Sequence, residues 1–206
     1  MATLKVPPII EYGVATYVLP GQSESGDRHL VRNRPDHILI AAIDGLGHGD
    51  DAATAAKTAV SILENSRDDS VIALVQQCHD GLRATRGVVM SLASIDPLQG
   101  LLTWIAVGNV QGVLLRRRAT KRSPKEELLL RGGVVGAQLP PLQTAVLPIA
   151  KGDTLILVTD GIHTEFAEKL SALESPQKLA NKIMADYRRG NDDALVLATR
   201  YLENQG

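Results

Sequence analysis

Cysteine occurs once in this chain, as Cys78, so no internal disulfide can staple the fold, and a reducing compartment is the simplest setting. Aromatic residues make up only 3% of the sequence, against 44% for hydrophobic residues as a whole. The core must therefore be built from Val, Leu, Ile and Ala, and an apolar content of that size excludes wholesale disorder. Neither sign of charge is in excess. With a formal net charge of -1, the chain offers no basic field to attract nucleic acid or an anionic membrane. No apolar run is long enough to span a bilayer, and no signal-type apolar segment precedes the first polar residues. The expectation is a soluble cytoplasmic protein whose partner, neither nucleic acid nor membrane, is recognised locally.

From 206 residues one domain is expected, covering 1–206 with its core at about residues 9–202, and no linker or repeat marks a separate regulatory domain. The run IIEYGVATYVL predicts a strand, and DRHLVRNR and HILIAAID predict two more, joined in sequence and paired antiparallel. DDAATAAKTAVSILENS and DDSVIALVQQCHDGLRAT have helical spacing, the first with acids in its opening turn. Further strands are predicted at GVVMSLASID, LLTWIAVGN, VQGVLLRRR, ELLLRGG, TAVLPIA and DTLILVTD, separated by turn residues. A Ser-Pro start marks SPQKLANKIMADYRR as a helix, and DALVLATRYL reads as the last strand. This order lacks strict βαβ alternation, so the expected class is α+β, a layered sandwich of mainly antiparallel sheets. The basic stretch RRRATKRSPKEE reads as a hairpin excursion, first as a solvated loop and second as a docking surface.

The chemistry is concentrated where strands end. IDGLGHGDD puts Asp44, three glycines and His48 straight after the apolar run HILIAA. Asp160 follows TLILVT, Asp192 and Asp193 precede ALVLAT, and Asp27 opens another strand. Each Asp-Gly pair alone is ordinary turn chemistry. Together, four distant segments delivering carboxylates to one sheet edge would repel one another unless a cation reversed the sign of that energy. Oxygen-only donors suit Mg²⁺ or Mn²⁺, and nothing in the sequence has the Cys or His spacing of a structural zinc site. Gly45 can leave its carbonyl near such an ion, while Gly47 and Gly49 permit positive φ.

The ordered set SGD at 25–27, DGLGHG at 44–49, TDG at 159–161 and NDD at 191–193, with GLLTWIAVGN between them, resembles the PPM-type metal-dependent Ser/Thr protein phosphatases. Within them it is most similar to the SpoIIE-like bacterial branch, and in its compact size to the RsbX-type members. The resemblance implies a four-layer αββα sandwich with a two-metal centre at one end. It also implies a Mn²⁺- or Mg²⁺-dependent hydrolase acting on phosphoserine or phosphothreonine of a stressosome or STAS-domain protein. On this family's pattern Asp44 would bridge two ions and the Gly45 carbonyl would complete one coordination sphere. Asp160 and Asp192 would hold one ion each, with Asp193 as the alternative to Asp192, and Asp27 would bind directly or through water. His48 is a candidate general acid by its near-neutral pKa. Many eukaryotic relatives, however, place the histidine directly after Asp-Gly, where this chain has Leu46, and carry threonine where it has Leu195. His163 and Arg28 are weaker candidates, read first as a helix-start residue and an ion-pair partner and only second as phosphate contacts. Two other functions use the same acids: a non-catalytic phosphoprotein-binding module and a small-molecule phosphoesterase. Cys78, in a predicted helix with no phosphate loop after it, excludes a cysteine-phosphatase mechanism.

Overall fold

The computed structural model of the protein describes residues 9–34, 36–68, 70–118 and 125–202. Its elements follow in the order β1 (Ile10–Tyr17), β2 (Asp27–Asn33), β3 (Ile38–Gly45), α1 (Asp50–Asn65), α2 (Val71–Gly81), β4 (Val88–Asp96) and β5 (Leu101–Val107). They continue with β6 (Gln111–Leu115), β7 (Lys125–Glu127), β8 (Ala145–Pro148), β9 (Thr154–Val158), a 3₁₀ helix (Thr164–Lys169), α3 (Pro176–Tyr187) and β10 (Ala194–Tyr201). Two five-stranded sheets result, one ordered β1-β10-β9-β6-β7 and the other β2-β3-β4-β5-β8. Neighbours pair antiparallel in both.

Three apolar layers hold four structural layers together. Ile38, Ile40 and Trp104 from one sheet meet Leu155, Leu157, Leu195 and Leu197 from the other between the sheets. Helices α1 and α2 cover the outer face of the β2-containing sheet through Ala55, Ala59, Leu63 and Leu74. On the far side, Leu179 and Ile183 of α3 pack with Phe166 onto Ile156 and Val196. Strands buried on both faces read as unbroken apolar runs, which is why HILIAAI and ALVLAT lack alternation. The alanine face of α1 keeps that helix close to β3, and Ser175, accepting from the Lys178 N–H, caps α3 with Pro176 in its first turn. No helix among the described residues is long and apolar enough to cross a membrane.

Two strand expectations need correction. β1 does not pair with β2: it joins β10 in the opposite sheet, from Ile10↔Tyr201 to Tyr17↔Ala194. Gly13 brings it against α3, where a side chain would collide with the Gln177 backbone at 2.3 Å. The ELLLRGG strand does not form as read: β7 stops at Glu127, and although Leu128 packs against the intersheet core, the next residue, Leu129, is 76% exposed. The basic hairpin does form, with β7 antiparallel to β6, while its tip at 119–124 lies outside the described residues.

Trp104 joins the two sheets. Its indole is fully buried, Nε1 donates to Ser91 Oγ at 3.2 Å, and the ring fills the space a side chain at Gly112 would need. Trp104→Ala should cost about 3–5 kcal/mol of unfolding free energy, read by urea titration; a loss below about 1 kcal/mol would mean that the sheets do not depend on this contact.

Candidate functional site

The predicted acids meet at one end of the sandwich. β2 and β3 pair so that Asp27 stands directly opposite Asp44. The other sheet brings up Asp160, just past the end of β9, and Asp192 with Asp193, just before β10. Asp44, Asp160 and Asp192 line an open cleft of about 350 Å³ together with Gly47, His48 and Asn109.

Close backbone approach explains both Asp-Gly pairs. A Cβ on Gly45 would lie 2.1 Å from the Ala52 carbonyl oxygen of α1, and one on Gly161 would lie 2.0 Å from the Asp193 carbonyl oxygen. The glycines let α1 and the 192–193 turn close onto the strand ends that carry the acids. Beyond them, Gly47 and Gly49 take φ of 88° and 76°, as the turn before α1 requires.

The acids divide into two kinds. Asp193 is buried, and its oxygens accept from Leu19 N–H at 2.8 Å and Gly26 N–H at 2.6 Å. It ties the 19–26 connection to β10, whereas Asp192 borders the cleft and, among the described residues, accepts only the Asp193 N–H, at 2.8 Å. Asp27 is likewise buried. Thr159 Oγ1 donates to Asp27 Oδ2 at 2.7 Å and accepts from Leu195 N–H at 2.8 Å, so one hydroxyl links the two sheets beneath the cleft. Asn109 Nδ2 donates to Asp160 Oδ2 at 2.8 Å. Thr159 and Asn109 both lie in motifs visible in the sequence, TDG and VGN, but their partners are 132 and 51 residues away and no local pattern reveals them.

Burial and repulsion from neighbouring carboxylates raise the proton affinity of Asp44, Asp27 and Asp192. Asp44 is pushed up to about 9, first by loss of solvent and then by Asp27, Asp160, Asp192 and Asp193. Asp27 is pushed up to about 7 by burial, against the Thr159 hydrogen bond, with Asp193, Asp160 and Asp192 adding to the rise. Burial also raises Asp192; the Asp193 N–H opposes it, Asp160 and Asp193 add to it, and His48 draws it back.

These donors fit a hard divalent cation. They are oxygens, they share one field, and among the described residues no hydrogen bond is made to the Asp44 carboxylate. Among the described residues they are not drawn into a tight chelating cluster, as expected of like charges facing one another.

The remaining candidates lie as follows. His48 is exposed on the cleft wall. His163 precedes the 3₁₀ helix, with its N–H on the Tyr187 carbonyl, and does not line the cleft. Arg28 turns to Glu24 at 2.7 Å and to the Ser25 and Asp27 carbonyls, away from any role in the cleft lining. Cys78 is fully buried in α2, and burial pushes its thiol up to about 12, which leaves it inert as a nucleophile.

The architecture is that of known phosphatases. RsbX in complex with magnesium superposes with a TM-score of 0.81 at 21% identity, over 93% of this chain and 95% of that one. A structure solved in a study of the bacterial stressosome, as a modular system adapted to control secondary messenger signaling, gives 0.82 at 30% identity over 93% and 99%. The class these define is a PPM-type protein phosphatase. Residues 34–202 match the family described as Stage II sporulation protein E, and the chain belongs to that SpoIIE family. It is 24% identical over 177 residues to the phosphoserine phosphatase RsbX of Bacillus subtilis (strain 168), covering 84% of this chain and 85% of that protein.

The raised carboxylates set a pH dependence for the metal-free protein. An unfolded aspartate ionises near pH 4, whereas folded Asp44 holds its proton to about 9, so the folded state binds more protons and loses stability as pH rises between these values. In chelator at pH 8, Asp44→Asn should therefore raise Tm by several degrees and flatten its fall from pH 5 to 9. A lowered Tm would show that the carboxylate is not strained.

Proposed function

We propose that the protein is a Mn²⁺- or Mg²⁺-dependent phosphatase that hydrolyses phosphoserine or phosphothreonine on a cytoplasmic stressosome or STAS-domain protein. The observation that carries this reading is the convergence of Asp44, Asp160 and Asp192 on one cleft, with Asp27 directly across the ladder from Asp44. Membership of the SpoIIE family and similarity to RsbX support the reaction class and the link to stress signalling.

Two cations would be held by Asp44, the Gly45 carbonyl, Asp160 and Asp192, with Asp27 in support. Asp192 is preferred to Asp193 because backbone donors already engage both Asp193 oxygens. When bound, such a pair supplies a water of lowered pKa for in-line attack on phosphorus and neutralises the phosphate charge. The chain's own part is to hold the donors still. Thr159 fixes Asp27, Asn109 orients Asp160, and Gly45 and Gly161 let the backbone close around them. No protein nucleophile is required, and the buried Cys78 supplies none. His48, exposed on the cleft wall, would give a proton to the departing seryl or threonyl oxygen. Arg86, beside Gly47 and paired with Asp51 at 2.9 Å, is a cation available to the phosphate. A purely binding role fits less well, because every acid the chemistry calls for is present.

Phosphate release from a phosphoserine peptide should require Mn²⁺ or Mg²⁺, stop with chelator, and fall about 100-fold or more in Asp44→Asn. Hydrolysis that persists without metal or without Asp44 would refute the two-metal centre, and tight peptide binding without turnover would favour the binding module.

A further inference from the structure

At the opposite end of the β1-containing sheet lies a second, larger cleft. β9 runs from Thr154 to Val158, so Asp153 and Asp160 sit beyond its two ends. The register places Leu115 and Arg200 beside Thr154, at the end away from the acids. There Arg116, Arg117, Arg118, Lys151 and Arg200 line a cavity of about 960 Å³, and Asp153 is the acidic residue among its lining.

That carboxylate is fully engaged. Asp153 is 3% exposed and accepts from Arg116 Nη1 at 2.8 Å, Arg117 N–H at 2.9 Å and Ala150 N–H at 3.1 Å. Arg116 also binds Glu126 and donates to the Pro148 carbonyl at 2.6 Å. Arg200 donates from Nε to Thr154 Oγ1 at 3.2 Å and from Nη2 to the carbonyls of Ala172, at 3.0 Å, and Glu174. Arg116 and Arg200 thus brace the walls. The charged ends of Arg117, Arg118 and Lys151 have no such partner among the described residues. Burial holds Arg200 below the usual arginine range; Glu11 opposes this, and nearby Arg117 adds to it. Positive charge is therefore in excess here, although the whole chain carries -1.

We propose that this cleft docks an acidic polypeptide segment of a partner protein, with carboxylates on Arg117, Arg118 and Lys151 and an apolar side chain against Leu173. Leu173 is 72% exposed at the cleft, and Ile149 and Leu202 add apolar lining, so the surface offers both parts of such a contact. A concave cleft between loops admits an extended chain but not the plane of a bilayer. Among the described residues its few cations also form no long basic track of the kind a nucleic-acid backbone follows. The inference goes beyond the catalytic reading and does not depend on it.

A labelled synthetic peptide of alternating Glu and Leu, titrated by fluorescence anisotropy in metal-free buffer, is the probe. Binding should weaken about tenfold or more in Arg117→Glu/Arg118→Glu, about as much when Gln replaces Glu in the peptide, and progressively with salt. Lys151→Glu, on a separate loop, should act the same way should the double variant melt early. Hydrolysis of p-nitrophenyl phosphate by these variants should stay within about twofold of the unmodified protein, since the reversals lie at the far end from the acids. No binding, equal affinity for the Glu and Gln peptides, or indifference to both reversals would overturn the proposal. So would complete displacement by millimolar inorganic phosphate, which marks a simple anion site, or tighter binding to anionic vesicles than to the peptide, which marks a membrane surface.

Discussion

Repulsion among carboxylates at the meeting edge of two sheets is the constraint around which the fold is organised. Asp27 and Asp44 come from one sheet, Asp160, Asp192 and Asp193 from the flanks of two strands in the other, and burial together with neighbouring carboxylates raises the proton affinity of Asp27, Asp44 and Asp192. Left to themselves such groups would move apart into water. They are held because the sheets are pinned: Thr159 reaches from β9 to Asp27, Asp193 seizes two N–H groups of the 19–26 connection, and Trp104 fills the gap between the sheets. The apolar layers supply the stability against which this electrostatic strain is set. An acidic cluster of this kind is necessarily a weak point of the fold, and the elevated Asp44 and Asp27 are the physical form that weakness takes.

Local chemistry was legible in the sequence wherever it determined its own conformation. Apolar runs gave the central strands, the Ser-Pro start gave α3, and acids after apolar runs marked the strand ends that gather at one edge. What was not legible depended on partners far along the chain. Nothing in IIEYGVATYVL states which sheet it joins; the choice is made by β10 and by α3 packing on Gly13. ELLLRGG has strand composition, but only Leu128 of its leucines packs against the intersheet core while Leu129 faces solvent, so composition misled. In NDD the neighbouring carboxylates are chemically identical, and only the backbone of residues 19 and 26 distinguishes the buried brace from the one that faces the cleft.

The same limit applies to charge. A net value of -1 suggests an electrostatically bland protein, but the average conceals an acidic end and a basic end separated by the length of β9. A sequence count cannot detect this, because Arg116 and Arg117, Lys151, and Arg200 come from three regions of the chain and are assembled only by the β6-β9-β10 register. Within RRRATKRSPKEE the described arginines divide: Arg116 is committed to Asp153 and Glu126, while Arg117 and Arg118 line a cleft.

Separation of the two ends has a mechanical consequence. Short β9 lies between them, paired on both sides and buried throughout its five residues, so the ends are joined by a stiff element rather than a hinge. A ligand at the basic end therefore has no evident lever on the geometry of the acids. Its effect on turnover would come through local concentration, by holding a partner protein near the acidic cleft, and would be seen in KM for a protein substrate while kcat and the hydrolysis of small esters stayed unchanged.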